Sequence, residues 1–149
     1  MKIELTEQKS QLSIAVKKRA NMKNLKALID ESYNKIYDYL TELKELPSGA
    51  PYVAYLGIGD EFDIEIGFPV DVGLPCNDDL YMSRTYEGKI VTGVYKGPYN
   101  GLEQAYSQIF EFINKNKLEP TGVYYDYYLN DPSITPEDEL LTKIVVPVK

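Results

Sequence analysis

Between Val123 and Pro132 the chain reads Val-Tyr-Tyr-Asp-Tyr-Tyr-Leu-Asn-Asp-Pro, which sets four of its fourteen tyrosines around one acid. Run as a strand, the segment puts Tyr124, Asp126 and Tyr128 on one face and Val123, Tyr125, Tyr127 and Leu129 on the other. A carboxylate between phenol rings suits an organic cation, because charge attraction and ring quadrupole act in the same direction. The competing reading is a half-buried strand whose acid faces water, and only the surrounding elements can decide between them.

Composition narrows the chemistry. The sequence has no histidine, which excludes Ser-His-Asp and Cys-His catalysis and any histidine-ligated metal, so carboxylates, tyrosines and lysines remain for proton transfer. The net charge of −7 repels phosphate backbones and argues against direct nucleic-acid binding. No apolar run is long enough for a bilayer, and the N-terminus lacks the apolar core of a signal peptide, so a cytoplasmic protein without a membrane partner is expected. Cys76 is the single cysteine and has no base beside it in sequence. Neither a metal nor a cofactor is expected.

Periodicity supplies the elements. Leu12, Ile14 and Val16 alternate as a first strand, and from about Asn21 the pattern turns helical, with Leu25, Leu28, Ile29, Ile36, Leu40 and Leu43 on one side and Asn21 or Asn24 as cap. Strands follow from Pro51 to Leu56 and Glu61 to Val70, joined by the loop Gly57-Ile58-Gly59-Asp60. Phe62, Ile64, Ile66 and Phe68 make one apolar face, with Asp63 and Glu65 opposite. The turn-rich stretch from Asp71 to Gly88 connects two halves, and Tyr81, Ser83 and Thr85 could form a short edge strand. A strand from Lys89 to Lys96 leads through Gly97-Pro98-Tyr99 into a second helix, where Asn100 and Glu103 resemble a capping box and Leu102, Ala105, Ile109 and Ile113 line one face. After the tyrosine-rich strand, Thr135-Pro136-Glu137-Asp138-Glu139 predicts a helical turn and Leu141 to Val148 a last strand.

Strand, helix, strand, strand thus occurs twice, over about residues 11–70 and 88–148. Tyr55-Leu56-Gly57 matches Tyr128-Leu129-Asn130, and Phe68-Pro69-Val70 matches Val146-Pro147-Val148; the offset grows from 73 (128 minus 55) to 78 (146 minus 68) where the Thr135 turn lengthens the second hairpin. Neither half has core enough to stand alone. The prediction is one α+β domain over residues 1–149, in which two pseudo-symmetric halves share an antiparallel sheet with both helices on one face. On that arrangement the opposite face should carry a groove in which Asp63 and Glu65 meet Tyr124, Asp126 and Tyr128. Tyr33, Tyr37 and Tyr106, at helical spacing, are assigned to the core or an interface and not to ligand contact, and Asp131 to the turn before Pro132.

The chain resembles the GyrI-like small-molecule-binding domain, also described as the effector-binding domain of bacterial transcription activators. The resemblance rests on Asp63-Ile64-Glu65-Ile66-Gly67-Phe68-Pro69-Val70, Gly97-Pro98-Tyr99, Tyr128-Leu129-Asn130-Asp131-Pro132 and Thr135-Pro136-Glu137-Asp138-Glu139-Leu140. It implies two strand-helix-strand-strand halves related by a pseudo-twofold axis, with ligands in the cleft between them. A glutamate commonly stands in that family where this chain has Asp126, so the carboxylate here is drawn back by one methylene. Regulators of the family carry a DNA-binding module before this domain; none precedes Met1, and a stand-alone member is expected.

Three functions follow as expectations. The first is non-catalytic binding of hydrophobic, cationic aromatic molecules, with Asp126 and Glu65 supplying charge and Tyr124, Tyr128, Tyr55 and Tyr99 the walls. The second is hydrolysis of strained-ring electrophiles, with Asp126 as the base, as the resemblance allows. The third is a protein-protein module like the family's gyrase inhibitors, with DNA gyrase or a regulator as partner.

Overall fold

The computed structural model describes residues 1–57, 59–76 and 79–149; Ile58 of the expected hairpin loop and Asn77 and Asp78 of the expected connection lie outside the described residues. The strands are β1 (Glu4–Gln8), β2 (Leu12–Ala20), β3 (Tyr52–Tyr55), β4 (Phe62–Pro69), β5 (Tyr81–Arg84), β6 (Gly88–Lys96), β7 (Tyr124–Tyr128) and β8 (Leu141–Pro147), and the helices are α1 (Leu25–Glu42) and α2 (Leu102–Lys115). All strand pairs are antiparallel, in the order β1-β6-β8-β7-β3-β4-β2-β5. The α+β class and the shared sheet are as predicted. The strand β1 has no forerunner in the periodicity, because Glu-Leu-Thr-Glu-Gln is polar on both sides; it is an edge strand held by β6.

The repeat is visible in the topology. Each half pairs its first strand with its last and its last with its middle one, and the middle strands β3 and β7 meet at the centre. Across that seam Val53 pairs with Asp126, and 126 minus 53 is again 73, so these two are each other's repeat counterparts and lie on the pseudo-twofold axis. The helix ends repeat too. Lys44 and Lys117, also 73 apart (117 minus 44), both adopt left-handed backbone, with φ of 58° and 56°. The following amides, of Glu45 and Leu118, return to the carbonyls of Leu40 and Ile113, both at 2.9 Å.

Of the two residues expected to cap the first helix, Asn24 precedes α1 without capping it, since its side chain accepts from the Asn21 amide at 2.8 Å. Asn21 Oδ1 accepts from the amides of Lys23 and Asn24 at 2.9 and 3.0 Å and so caps the turn leading into α1. The start of α2 differs from expectation. Asn100 lies in a 3-10 turn (Tyr99–Gly101), so Gly101 takes the position before α2 and no capping box forms.

One face of the sheet carries the helices. Ile36 and Leu40 of α1 pack with Ile14, Val16, Val53, Ile64 and Ile66, while Ala105, Ile109 and Ile113 of α2 pack with Val91, Ile144 and Val146. A third cluster, of Tyr52, Ala54, Ile90, Tyr125 and Val145, covers the middle of the other face. Because β1 and β2 are consecutive yet stand near opposite edges, the sheet curls until residues 8–12 run beside 84–88: Gln8 pairs with Gly88, the Thr85 amide donates to Gln11 O at 2.9 Å, and Leu12 pairs with Arg84. The helix-free face is therefore concave, with this ribbon closing one side.

Candidate functional site

Alternation along β7 sends Asp126, Tyr124 and Tyr128 to the helix-covered face, since Asp126 is paired with Val53 and Val53 belongs to the cluster under α1. The expected groove joining Glu65 to Asp126 does not form. Glu65 pairs with Ala54 and Lys17, out of phase with Ile64 and Ile66, and lies on the helix-free side of the sheet. Predicting that Asp126 would oppose the helices took the more apolar set, Val123, Tyr125, Tyr127 and Leu129, as the helix-covered face. The seam between β3 and β7 decides otherwise: Asp126, the repeat counterpart of Val53, shares its face, and no periodicity within one strand encodes that register.

Asp126 sits where the two helical layers meet. It is only 3% exposed, and its Oδ1 accepts a hydrogen bond of 2.5 Å from the Tyr106 hydroxyl, on α2. Tyr55, on β3, also reaches the carboxylate, and Tyr128 hydrogen-bonds Tyr55. Rings close around these groups. Tyr128 meets Tyr33 of α1 edge-on at 6.1 Å and Tyr99 at 5.5 Å, while Tyr124 packs edge-on against Tyr106 and Phe110 at 6.5 and 5.5 Å. Tyr99 is the exposed member, at 36%. Its place follows from the preceding turn: Gly97 has φ of 142°, which favours glycine, and the Tyr95 hydroxyl donates to Pro98 O at 2.8 Å.

Five of the six candidate residues, Asp126, Tyr124, Tyr128, Tyr55 and Tyr99, thus belong to one constellation, and Glu65 does not. Tyr106 and Tyr33, assigned to the core or an interface from their helical spacing, join it. A helix facing a strand acid shows only the usual three-and-four pattern in sequence, so nothing local marked them. Among the described residues the buried Tyr33 hydroxyl has no hydrogen-bond partner, nor does Thr142 Oγ1, whose residue pairs with Tyr128.

Desolvation governs the electrostatics. It pushes the Asp126 carboxyl up to about 6, against hydrogen bonds from Tyr106 and Tyr55 that favour the charged form. Burial also drives Tyr33, Tyr106 and Tyr128 well above the ordinary phenol value, so near neutrality they remain neutral donors. Among the described residues no lysine or arginine is paired with Asp126. Among the described residues phenols alone serve this buried carboxylate, an arrangement that can accept positive charge or exchange a proton. No cluster of three or more Asp, Glu or Cys side chains suited to a metal occurs among the described residues.

Glu65 has a different task. Its carboxylate accepts from Tyr52 at 3.0 Å, from Ser83 at 2.9 Å and from Tyr81, while Tyr52 also shares a 2.8 Å hydrogen bond with Ser13. These bonds tie β2, β3, β4 and β5 together across the helix-free face. Asp63 instead pairs with Arg19 at 3.2 Å. The Tyr-Leu-Asn-Asp-Pro motif is structural beyond its tyrosine. Asn130 Oδ1 accepts from the Leu141 amide at 3.0 Å, and Asp131 Oδ1 accepts from the Ser133 amide at 2.8 Å, which makes Asp131 the predicted turn residue.

A curled antiparallel sheet of two duplicated halves, with a polar constellation between its helices, defines an α+β ligand-binding domain. The chain belongs to the GyrI-like small molecule binding domain family, which matches residues 1–149. No curated protein matches it in sequence. Among solved structures, EcmrR in its DNA complex is similar with a TM-score of 0.81 at 16% identity, over 99% of this chain and 57% of that one. SAV2435 bound to tetraphenylphosphonium is similar with a TM-score of 0.67 at 13% identity, over 100% and 94%. A hydrolase from Listeria innocua is similar with a TM-score of 0.68 at 15% identity, over 99% and 92%. These likenesses are in fold. No helix among the described residues is long and apolar enough to cross a membrane.

Proposed function

We propose that this small-molecule-binding domain takes up lipophilic organic cations between α1 and α2, with Asp126 as counter-charge and Tyr55, Tyr99, Tyr106, Tyr124 and Tyr128 as walls. The observation that carries this reading is a carboxylate 3% exposed with no cationic partner among the described residues. Burying such a charge is costly, and a bound cation is the group that would relieve the cost. Edges and faces of the surrounding phenols then supply about 0.5–2 kcal/mol for each cation-ring contact. Entry requires the rings to part, beginning with Tyr99, the exposed one. The structural neighbour that holds tetraphenylphosphonium, a lipophilic cation, agrees with this chemistry.

Calorimetric titration with tetraphenylphosphonium and with neutral triphenylphosphine oxide tests the reading. The cation should bind the parent chain, bind Asp126→Asn about tenfold more weakly, and outcompete the neutral compound. Equal binding of both compounds, or an unchanged affinity in Asp126→Asn, overturns it.

A hydrolytic reading keeps one specific support, the 2.5 Å contact between Tyr106 and Asp126, an acid-base pair within proton-transfer distance. It requires turnover of an epoxide or activated cyclopropane that Asp126→Asn abolishes. Recovery of such compounds intact from the parent chain eliminates it.

A further inference from the structure

The concave, helix-free face holds a hollow of about 340 Å³, within the size range of small-molecule sites. It opens between the ribbon of residues 8–12 and the strands β7 and β8. Its charged lining residues are Lys9 and Lys143, and among the described residues no carboxylate lines it. That is unexpected on a chain of net charge −7. Among the described residues neither lysine makes an ion pair.

The remaining walls are both fixed and mixed in character. Tyr127 offers its ring, with the Lys143 ammonium 6.0 Å from the ring centroid. Thr85 and Gln8 lie beside its hydroxyl, and Gln8 Nε2 donates to Tyr86 O at 2.8 Å. Thr85, 4% exposed, accepts from the Gln11 amide at 2.9 Å. Leu129 adds an apolar wall. A second hollow of about 570 Å³ shares Gln8 and Lys143 with it but is also lined by Lys2, Glu4 and Glu7, so its charges balance and positive charge prevails only in the first.

We infer that this hollow is a second ligand site, selective for small aromatic carboxylates, with Lys9 and Lys143 holding the anion and Tyr127 and Leu129 the apolar body. Two ammonium groups outside any ion pair provide charge-assisted hydrogen bonds, and an aromatic ring lies against Tyr127. The site is independent of the Asp126 constellation, because Tyr127 and Asp126 are neighbours pointing to opposite faces of β7. The domain would then sort ligands by charge, cations under the helices and anions on the concave side.

Cinnamate and its neutral counterpart cinnamyl alcohol are suitable probes, followed by calorimetry and by amide chemical shifts of the labelled chain. Cinnamate should bind at moderate salt, weaken as ionic strength rises, and shift the amides of Gln8, Thr85 and Tyr127. Lys9→Met and Lys143→Met should each weaken it about tenfold, and Lys143→Arg should restore most of the loss. Asp126→Asn should leave cinnamate binding unchanged while weakening tetraphenylphosphonium, so the two sites can fail separately. Should Lys143→Met not fold, Lys9→Met in the exposed connection carries the test. Equal affinity for cinnamyl alcohol, full binding by the lysine variants, or shifts scattered over surface lysines would overturn the assignment.

Discussion

Val53 and Asp126 face each other across the seam of the sheet, as repeat counterparts paired on the pseudo-twofold axis. Where one half places a fully buried valine, the other places a carboxylate 3% exposed. The acid is thus the point at which duplication gave way to asymmetry, in a buried position at the seam of the two halves. Its proton balance should dominate how the protein responds to pH.

The sign follows from the direction of the shift. Burial raises the folded-state value of Asp126 from 3.8 to about 6, so between those limits the native chain holds more protons than the unfolded chain. Stability from this group is therefore full below pH 3.8, is lost as pH rises toward about 6, and stays lower above it. The loss is about 3 kcal/mol by linkage, an order-of-magnitude figure. Urea denaturation from pH 4 to 7 on parent and Asp126→Asn chains should show the descending component only in the parent, with the substituted chain about 1–3 kcal/mol more stable at pH 7. Parallel pH curves for the two chains contradict this.

On the proposed cation site, the same proton would compete with the bound cation. Tetraphenylphosphonium affinity should fall as pH drops through about 6, where Asp126 becomes neutral, and level off below it. A pH-independent affinity would show that the carboxylate is not the counter-charge.

Removing the Tyr106 hydroxyl should leave the carboxylate less well served. Tyr106→Phe is expected to cost about 1–2 kcal/mol at neutral pH and to move the Asp126 titration further upward. Carbon-detected NMR of the labelled carboxyl reads the titration directly, and a downward displacement counts against the hydrogen bond between Tyr106 and Asp126.

On the other face, Glu65 should matter for stability and not for cation binding. Glu65→Gln weakens acceptance from Tyr52, Tyr81 and Ser83 and should cost about 1–3 kcal/mol. Tetraphenylphosphonium affinity should stay at the parent value, and a marked loss would return Glu65 to the cation site.

Gly67 leaves room for the ring of Tyr52, which is fully buried across β3 and β4. A Cβ there would lie 2.6 Å from Tyr52 Cζ and Oη, so Gly67→Ala should cost about 1–3 kcal/mol through displacement of the ring. Gly73→Ala, with nothing within 4 Å, is the neutral control. Thermal midpoints that match for the two variants would mean the ring yields freely.

The helices, the duplicated strand order and the segment holding the acid were all legible in the amino-acid order, because apolar spacing and turn chemistry are local properties that survive without long-range context. Gly-Pro-Tyr before α2 and Asn130-Asp131 after β7 were legible for the same reason. The face that Asp126 occupies was not, since cross-strand register is set by pairing between residues more than seventy positions apart, as 126 minus 53 shows. Folding likewise assigned Tyr106 and Tyr33 to the acid and left Glu65 to brace the opposite face. Helical spacing records that a side chain is buried and is silent about its neighbour, and it is the curl of the sheet that brought Lys9 and Lys143 to one hollow.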